Sequence, residues 1–108
     1  MEMPWISQYE EGVETQINPD DYNSIGEILE RSVKRFADKP AFHCMGKTLT
    51  FSEIDTLSRE FASFLQNQLK LKKGSRIALM MPNILQYPIA LFGALRAGMV
   101  IVLSLIHI

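Results

Sequence analysis

Two adjacent side chains with nucleophile chemistry, His43 and Cys44, stand in the stretch AFHCMGKTLTF. A thiol beside an imidazole can act as nucleophile and base, but neighbours on a strand point to opposite faces, so packing is the expected role of this pair. Met81-Pro82-Asn83 closes an apolar run just before a helical pattern, the place where ligands approach an open parallel sheet. Asn83 as a plain helix N-cap is the favoured reading of it. Met80, Met81 and Met99 read as core fill rather than metal ligands. Lys70, Lys72 and Lys73 make a small basic spot that a solvated helix end explains equally well, and Gly93 and Ala97 read as close-packing positions rather than a membrane dimer face. No G-x-G-x-x-G or G-K-[ST] phosphate loop occurs. The expectation is that the chain itself supplies no catalytic, cofactor-binding or metal-binding residue.

The elements that must position these residues belong to one core at most, because 108 residues suffice for one small domain and not two. Apolar residues at 47% and charged residues at 21% exclude a disordered acidic chain and a collagenous one. Eleven Lys and Arg against twelve Asp and Glu leave a net charge of -1, so no chain-wide basic field exists to hold nucleic acid. A single cysteine closes no intrachain disulfide and fits a reducing cytosol. The opening MEMPWISQYEEGVE has no basic-then-apolar stretch of the secretory kind.

Residues 1–22 sustain no hydrophobic period and predict an irregular arm, with Trp5, Tyr9 and Ile17 as anchors that pack onto something. Ile25, Ile28, Leu29, Val33 and Phe36 then fall on one helix face, with Asn23 or Ser24 as N-cap and Pro40 as stop. A hairpin follows around Gly46-Lys47, where Gly at the first turn position suits a type II′ turn. Thr50 and Glu53 have capping-box spacing and open a second helix reaching about Leu69. Its buried stripe is Phe51, Ile54, Leu57, Phe61, Phe64, Leu65 and Leu69, and its polar face holds Glu53, Asp55, Arg59, Glu60 and Gln66. Gly74 closes the segment that follows.

RIALMMP, ILQYPIALFGALRAG and MVIV read as strand, helix and strand, a βαβ unit. Both strands are apolar on both faces, so they are expected inside a parallel sheet covered by helices on two sides, with a right-handed crossover. Pro88, about five residues into the helix, should kink it. A hairpin and two parallel strands do not complete a doubly wound sheet, which has about five or six strands, so the fold class is the first part of a larger α/β protein.

The order of DYNSIGEILERSVKRFADKPAF, the T-F-S-E cap at Thr50 to Glu53, G-S-R-I-A-L at Gly74 to Leu79, M-P-N at Met81 to Asn83 and L-R-A-G at Leu95 to Gly98 resembles the N-terminal region of adenylate-forming enzymes, the acyl-CoA synthetase and luciferase superfamily. Within it the chain is most similar to bacterial long-chain fatty-acid CoA ligases. The resemblance implies an N-terminal portion of an AMP-binding domain over residues 23–102. For the full-length parent it implies a reaction of fatty acid, ATP and CoA, with Mg, through an acyl-adenylate to acyl-CoA, AMP and pyrophosphate. The phosphate loop and the other catalytic motifs of the family lie beyond Val102, so the 108-residue chain is expected to be inactive and to need no cofactor. A cytoplasmic parent is implied, and peripheral contact with the inner face of the membrane is compatible with it.

Residues 103–108, LSLIHI, match nothing in the family. They are what the transposon-end adapter CTGTCTCTTATACACATC encodes in one frame, and are expected to be a non-native tail in which His107 carries no weight. Two rival readings follow. A membrane span over Ile89 to Ile108 would bury Arg96 at a cost of about 2.5–3.5 kcal/mol, which disfavours it. A free-standing binding module would be a soluble monomer with a cooperative melt, whereas a piece with an open sheet is expected to aggregate.

Overall fold

Ser24 ends extended backbone and starts the first helix: its hydroxyl accepts from the Glu27 amide at 3.1 Å, while the Glu27 carboxylate accepts from the Asn23 amide at 2.7 Å. The computed structural model, which describes residues 3–104, gives this helix, α1, as Ile25–Phe36. Only part of the expected stripe is covered. Leu29 is buried and Val33 packs beside it, whereas Ile25 and Ile28 stand exposed because the neighbouring elements meet α1 along one side only.

Strands β1, Pro40–Cys44, and β2, Lys47–Thr50, form an antiparallel hairpin, with a register irregularity between Pro40 and Phe42. The turn differs from expectation. Its central residues are Met45 and Gly46, and both have positive φ, 51° and 80°, so it has type I′ character with Gly in the second place. Met45 is held in the left-handed region with its side chain in solvent, a conformation unfavourable for an L residue by roughly 1–2 kcal/mol. Met45→Asn is therefore expected to stabilise the fold by about 1 kcal/mol, read as a rise in the urea midpoint of the intact gene product.

Thr50 links hairpin to helix. Its hydroxyl accepts from the Glu53 amide and the Glu53 carboxylate accepts from the Thr50 amide, both at 3.2 Å, completing the capping box of α2, Phe51–Ser63. After Ser63 the helix widens into a π-helical turn, Phe64–Gln68, with the Leu69 amide bonded to the Phe64 carbonyl at 3.0 Å. That extra residue per turn shifts the phase of the stripe. Ile54 and Leu65 are buried as the pattern requires, but Phe64 and Leu69 emerge into solvent.

Strands β3, Arg76–Leu79, and β4, Val100–Leu103, are parallel in the register Arg76 to Val100 through Leu79 to Leu103, and helix α3, Gln86–Arg96, crosses between them. The βαβ unit thus forms, as a sheet separate from the hairpin. Pro88 does not kink α3. The helix begins later than the pattern suggested, which makes Pro88 its third residue, where a missing N–H leaves no intrahelical bond unmade. At the other end Gly98, φ 84°, closes a Schellman motif: the Gly98 amide bonds the Leu95 carbonyl at 3.1 Å and the Met99 amide bonds the Ala94 carbonyl at 3.0 Å.

Two buried clusters hold the layers. Leu29, Leu49 and Ile54 join α1, the hairpin and α2, and Ala62, Leu65, Ala94, Ala97 and Met99 join α2 to α3, with Ile77 and Ile101 of the parallel pair against them. Only that face of the β3–β4 pair is covered. Val100 and Val102 are exposed on the other, so the expectation of helices on both sides is not met by the described residues. The strand runs one residue past Val102, and Leu105 to Ile108 of the expected tail lie outside the described residues.

The arm also departs from expectation. Beyond a short 3-10 turn, Pro4–Gln8, it buries nothing, and Trp5, Tyr9 and Ile17 are exposed. It offers no continuous apolar stripe, and its attachment is polar: the Arg31 guanidinium lies 4.8 Å over the Tyr22 ring and donates to the Asp21 carbonyl at 3.3 Å. Among the described residues no helix is long and apolar enough to cross a membrane.

Candidate functional site

The loop after β3 does not cap α3 as expected. The N-terminal residue flanking α3 is Leu85, no side chain caps it, and Asn83 lies two residues earlier. The loop is shaped instead by its own backbone, through Ile84 N–H to the Pro82 carbonyl at 2.8 Å and Tyr87 N–H to the Ile84 carbonyl at 3.0 Å. Asn83 offers its carbonyl to the Cys44 thiol at 3.6 Å, which ties the loop to the hairpin.

His43 and Cys44 part as strand alternation requires. His43 Nδ1 lies 2.7 Å from the hydroxyl of Thr48, its partner across the ladder, while Cys44, opposite Lys47, turns to the Asn83 carbonyl. They do not form a nucleophile and base pair. Between the hairpin and the start of α3 runs a groove in two lobes of about 410 and 360 Å³, which share Cys44, Ile84 and Leu85. Its walls are mainly apolar, and among the described residues Lys47 is the one Lys or Arg lining it. Met99 is core, but Met80, just past the end of β3, is exposed, so the reading of all three methionines as core fill fails at Met80. Among the described residues no group of three or more His, Cys, Asp or Glu could hold a metal ion.

The most strongly organised polar group lies elsewhere, at the crossing of α2 and α3. Arg96 is 10% exposed and donates from Nη2 to Asp55 Oδ1 at 2.7 Å and from Nη1 to the Asp55 carbonyl at 3.1 Å. Arg59, one turn on from Asp55 and largely in solvent, adds a bond to the same carboxylate oxygen at 3.1 Å. Burial pushes the Asp55 carboxyl up, but the hydrogen bonds and charges of Arg96 and Arg59 together outweigh it and hold the group below its ordinary value of 3.8. Asp55 was expected on a solvated face and is instead half-buried; Gln66 is exposed as expected, and its Nε2 donates to the Ala97 carbonyl at 3.3 Å. A signal for the crossing was present in the spacing: Ser58 and Ala62 put small residues on α2 where Gly93 and Ala97 put them on α3. With helices that close, a charge on either seam must find a partner across it.

This arrangement is an ion pair that ties α2 to α3. A sequence model of the family described as AMP-binding enzyme matches residues 29–105. The chain is 55% identical over 102 residues to the long-chain fatty-acid CoA ligase of Escherichia coli O157:H7, which covers 94% of this chain and 18% of that protein. To the ligase of the same description from Bacillus subtilis it is 38% identical over 99 residues, 92% of this chain and 17% of that one. The chain therefore spans less than a fifth of the length of these relatives. Among solved structures, the apo structure of Mycobacterium smegmatis MbtA superposes with a TM-score of 0.70 at 30% identity, over 74% of this chain and 15% of that one. The N-terminal subdomain of Klebsiella oxytoca NpsA gives a TM-score of 0.73 at 23% identity, over 78% of this chain and 22% of that one, a likeness of fold alone.

Proposed function

The chain belongs to the AMP-binding enzyme family, and from that premise we propose that it is the opening part of a long-chain fatty-acid CoA ligase. The parent activates a fatty acid with ATP and Mg to an acyl-adenylate, releasing pyrophosphate, and the CoA thiol then displaces AMP. The observation that carries this reading is the high identity to bacterial ligases over nearly the whole chain. The present residues contribute scaffold: the α2–α3 crossing and the parallel pair form one flank of the nucleotide-activating domain, and the groups that hold phosphates, magnesium and the developing charge come from elsewhere in the parent. The parent is cytoplasmic, with peripheral contact at the inner face of the membrane.

Fatty-acid-dependent exchange of pyrophosphate into ATP tests the reading. The intact gene product is expected to catalyse it, and the 108-residue chain is expected to give none above background. Exchange by the short chain would overturn the scaffold role; its absence from the intact product would overturn the ligase reading. The exposed Val100, Val102 and Leu103 leave an unpaired apolar edge, so the short chain is expected to aggregate, and a monomer with a sharp melt would favour a free-standing module instead.

A further inference from the structure

The groove between the hairpin and the start of α3 has a chemical polarity that the scaffold role leaves unused. Cys44 and Lys47 face each other across the hairpin ladder, so their side chains share one face with Leu49, two residues along β2. That face looks onto Leu85 and Ile89, and neither lobe is lined by an aspartate or glutamate. Lys47 makes no ion pair among the described residues, because the three salt bridges there belong to Arg31, Arg59 and Arg96. Each lobe falls within the range of roughly 300–1,000 Å³ typical of small-molecule sites, which are mostly apolar with a few polar groups that fix orientation. A single cation at the rim of an apolar trough, with no acid beside it, is complementary to an amphiphile with one negative end.

We propose that this groove binds a long-chain carboxylate, with the carboxylate on the Lys47 ammonium and the alkyl chain laid over Leu49, Leu85 and Ile89. The choice of a fatty acid among amphiphilic anions rests on the ligase reading. The half-buried Cys44 thiol lies where the two lobes meet, so a chain extending from one lobe towards the other covers it.

Protection of that thiol is the test. In the intact gene product, alkylation of Cys44 by a maleimide is followed on its own peptide by mass spectrometry, without and with palmitate, hexanoate or hexadecanol. Palmitate is expected to slow the reaction about tenfold, hexanoate and hexadecanol far less, and Lys47→Glu to remove most of the palmitate effect while Lys47→Arg keeps it. Equal rates with and without palmitate would overturn the inference, as would protection that survives in Lys47→Glu. A Cys44 that never reacts would also overturn it, because the groove is then filled by protein. Ligation of palmitate by the same preparation separates the two readings: ligation without protection sinks the groove alone, and protection without ligation sinks the ligase alone.

Discussion

Replacing Asp55 by alanine is expected to destabilise the fold by about 3 kcal/mol, because it leaves the guanidinium of Arg96 buried against α2 with only the Asp55 carbonyl as acceptor. Arg96 already has one buried nitrogen, Nε, without a partner among the described residues, so the group has little further tolerance for lost bonds. Arg59→Ala removes a second, largely exposed contact to the same carboxylate and should cost less than about 1 kcal/mol. The paired change Asp55→Leu with Arg96→Met should recover most of the loss, since a well-packed apolar pair avoids the desolvation of both charges. The measurement is the urea midpoint of each variant of the intact gene product at neutral pH. A loss below about 1 kcal/mol for Asp55→Ala would mean that water reaches Arg96 and the pair is an ordinary surface bridge.

The same carboxylate sets a pH dependence. Its acidity is increased in the folded state, so the unfolded chain takes up a proton first as the medium is acidified. The contribution of Asp55 to stability is therefore complete above its ordinary value of 3.8 and is lost as pH falls below that value through the lowered one. Glu27, which accepts from the Asn23 amide and pairs with Arg31, is lowered too and weakens in the same direction. Stability measured downward from pH 5 should fall less steeply in Asp55→Ala than in the parent sequence, with the Glu27 part remaining.

Gly93→Val is expected to be comparably damaging for a steric reason. A Cβ at Gly93 would lie 2.8 Å from the Ser58 carbonyl oxygen and 2.8 Å from Phe61 Cδ2. The first obstacle is backbone, so no rotamer change relieves it and α3 must move off α2. Overpacking of this kind costs about 1–3 kcal/mol, and the branched side chain puts Val at the upper end. Alanine would regain about 1 kcal/mol of helix propensity and should cost correspondingly less. Gly26→Ala is the contrast: its added Cβ meets only Ser24 Oγ at 3.8 Å, so the sign should be neutral or stabilising. Hydrogen exchange across α2 and α3, read beside the urea midpoints, should show Gly93→Val loosening both helices together. If Gly93→Val melts like the parent sequence, the helices are not in contact there.

Local signals in the sequence went far with the elements. Ser24, the Thr50–Glu53 box and Gly98 specify helix ends through bonds to backbone groups a few residues away, and apolar spacing identified three helices, a hairpin and a parallel βαβ unit. Such features are legible because each depends on neighbours in the chain. Family resemblance was legible in the same way, from short motifs in a fixed order.

What the tertiary structure decided was everything that depends on which surface another element covers. Periodicity marked Phe64 and Leu69 as buried, but Phe64 falls on the far side of α2 from the buried Ala62, and Leu69 follows a π-helical turn that shifts the phase of the stripe. Polarity put Asp55 in water, but α3 covers much of it and makes it the partner of Arg96, while Gln66 stays exposed as its polarity suggested and reaches across to the Ala97 carbonyl. Two-sided apolarity in the strands correctly marked them as parallel partners, but the second covering layer it predicted is not found over Val100 and Val102 among the described residues. Sequence determines which groups a segment has to satisfy; only packing between segments far apart in the chain determines what satisfies them.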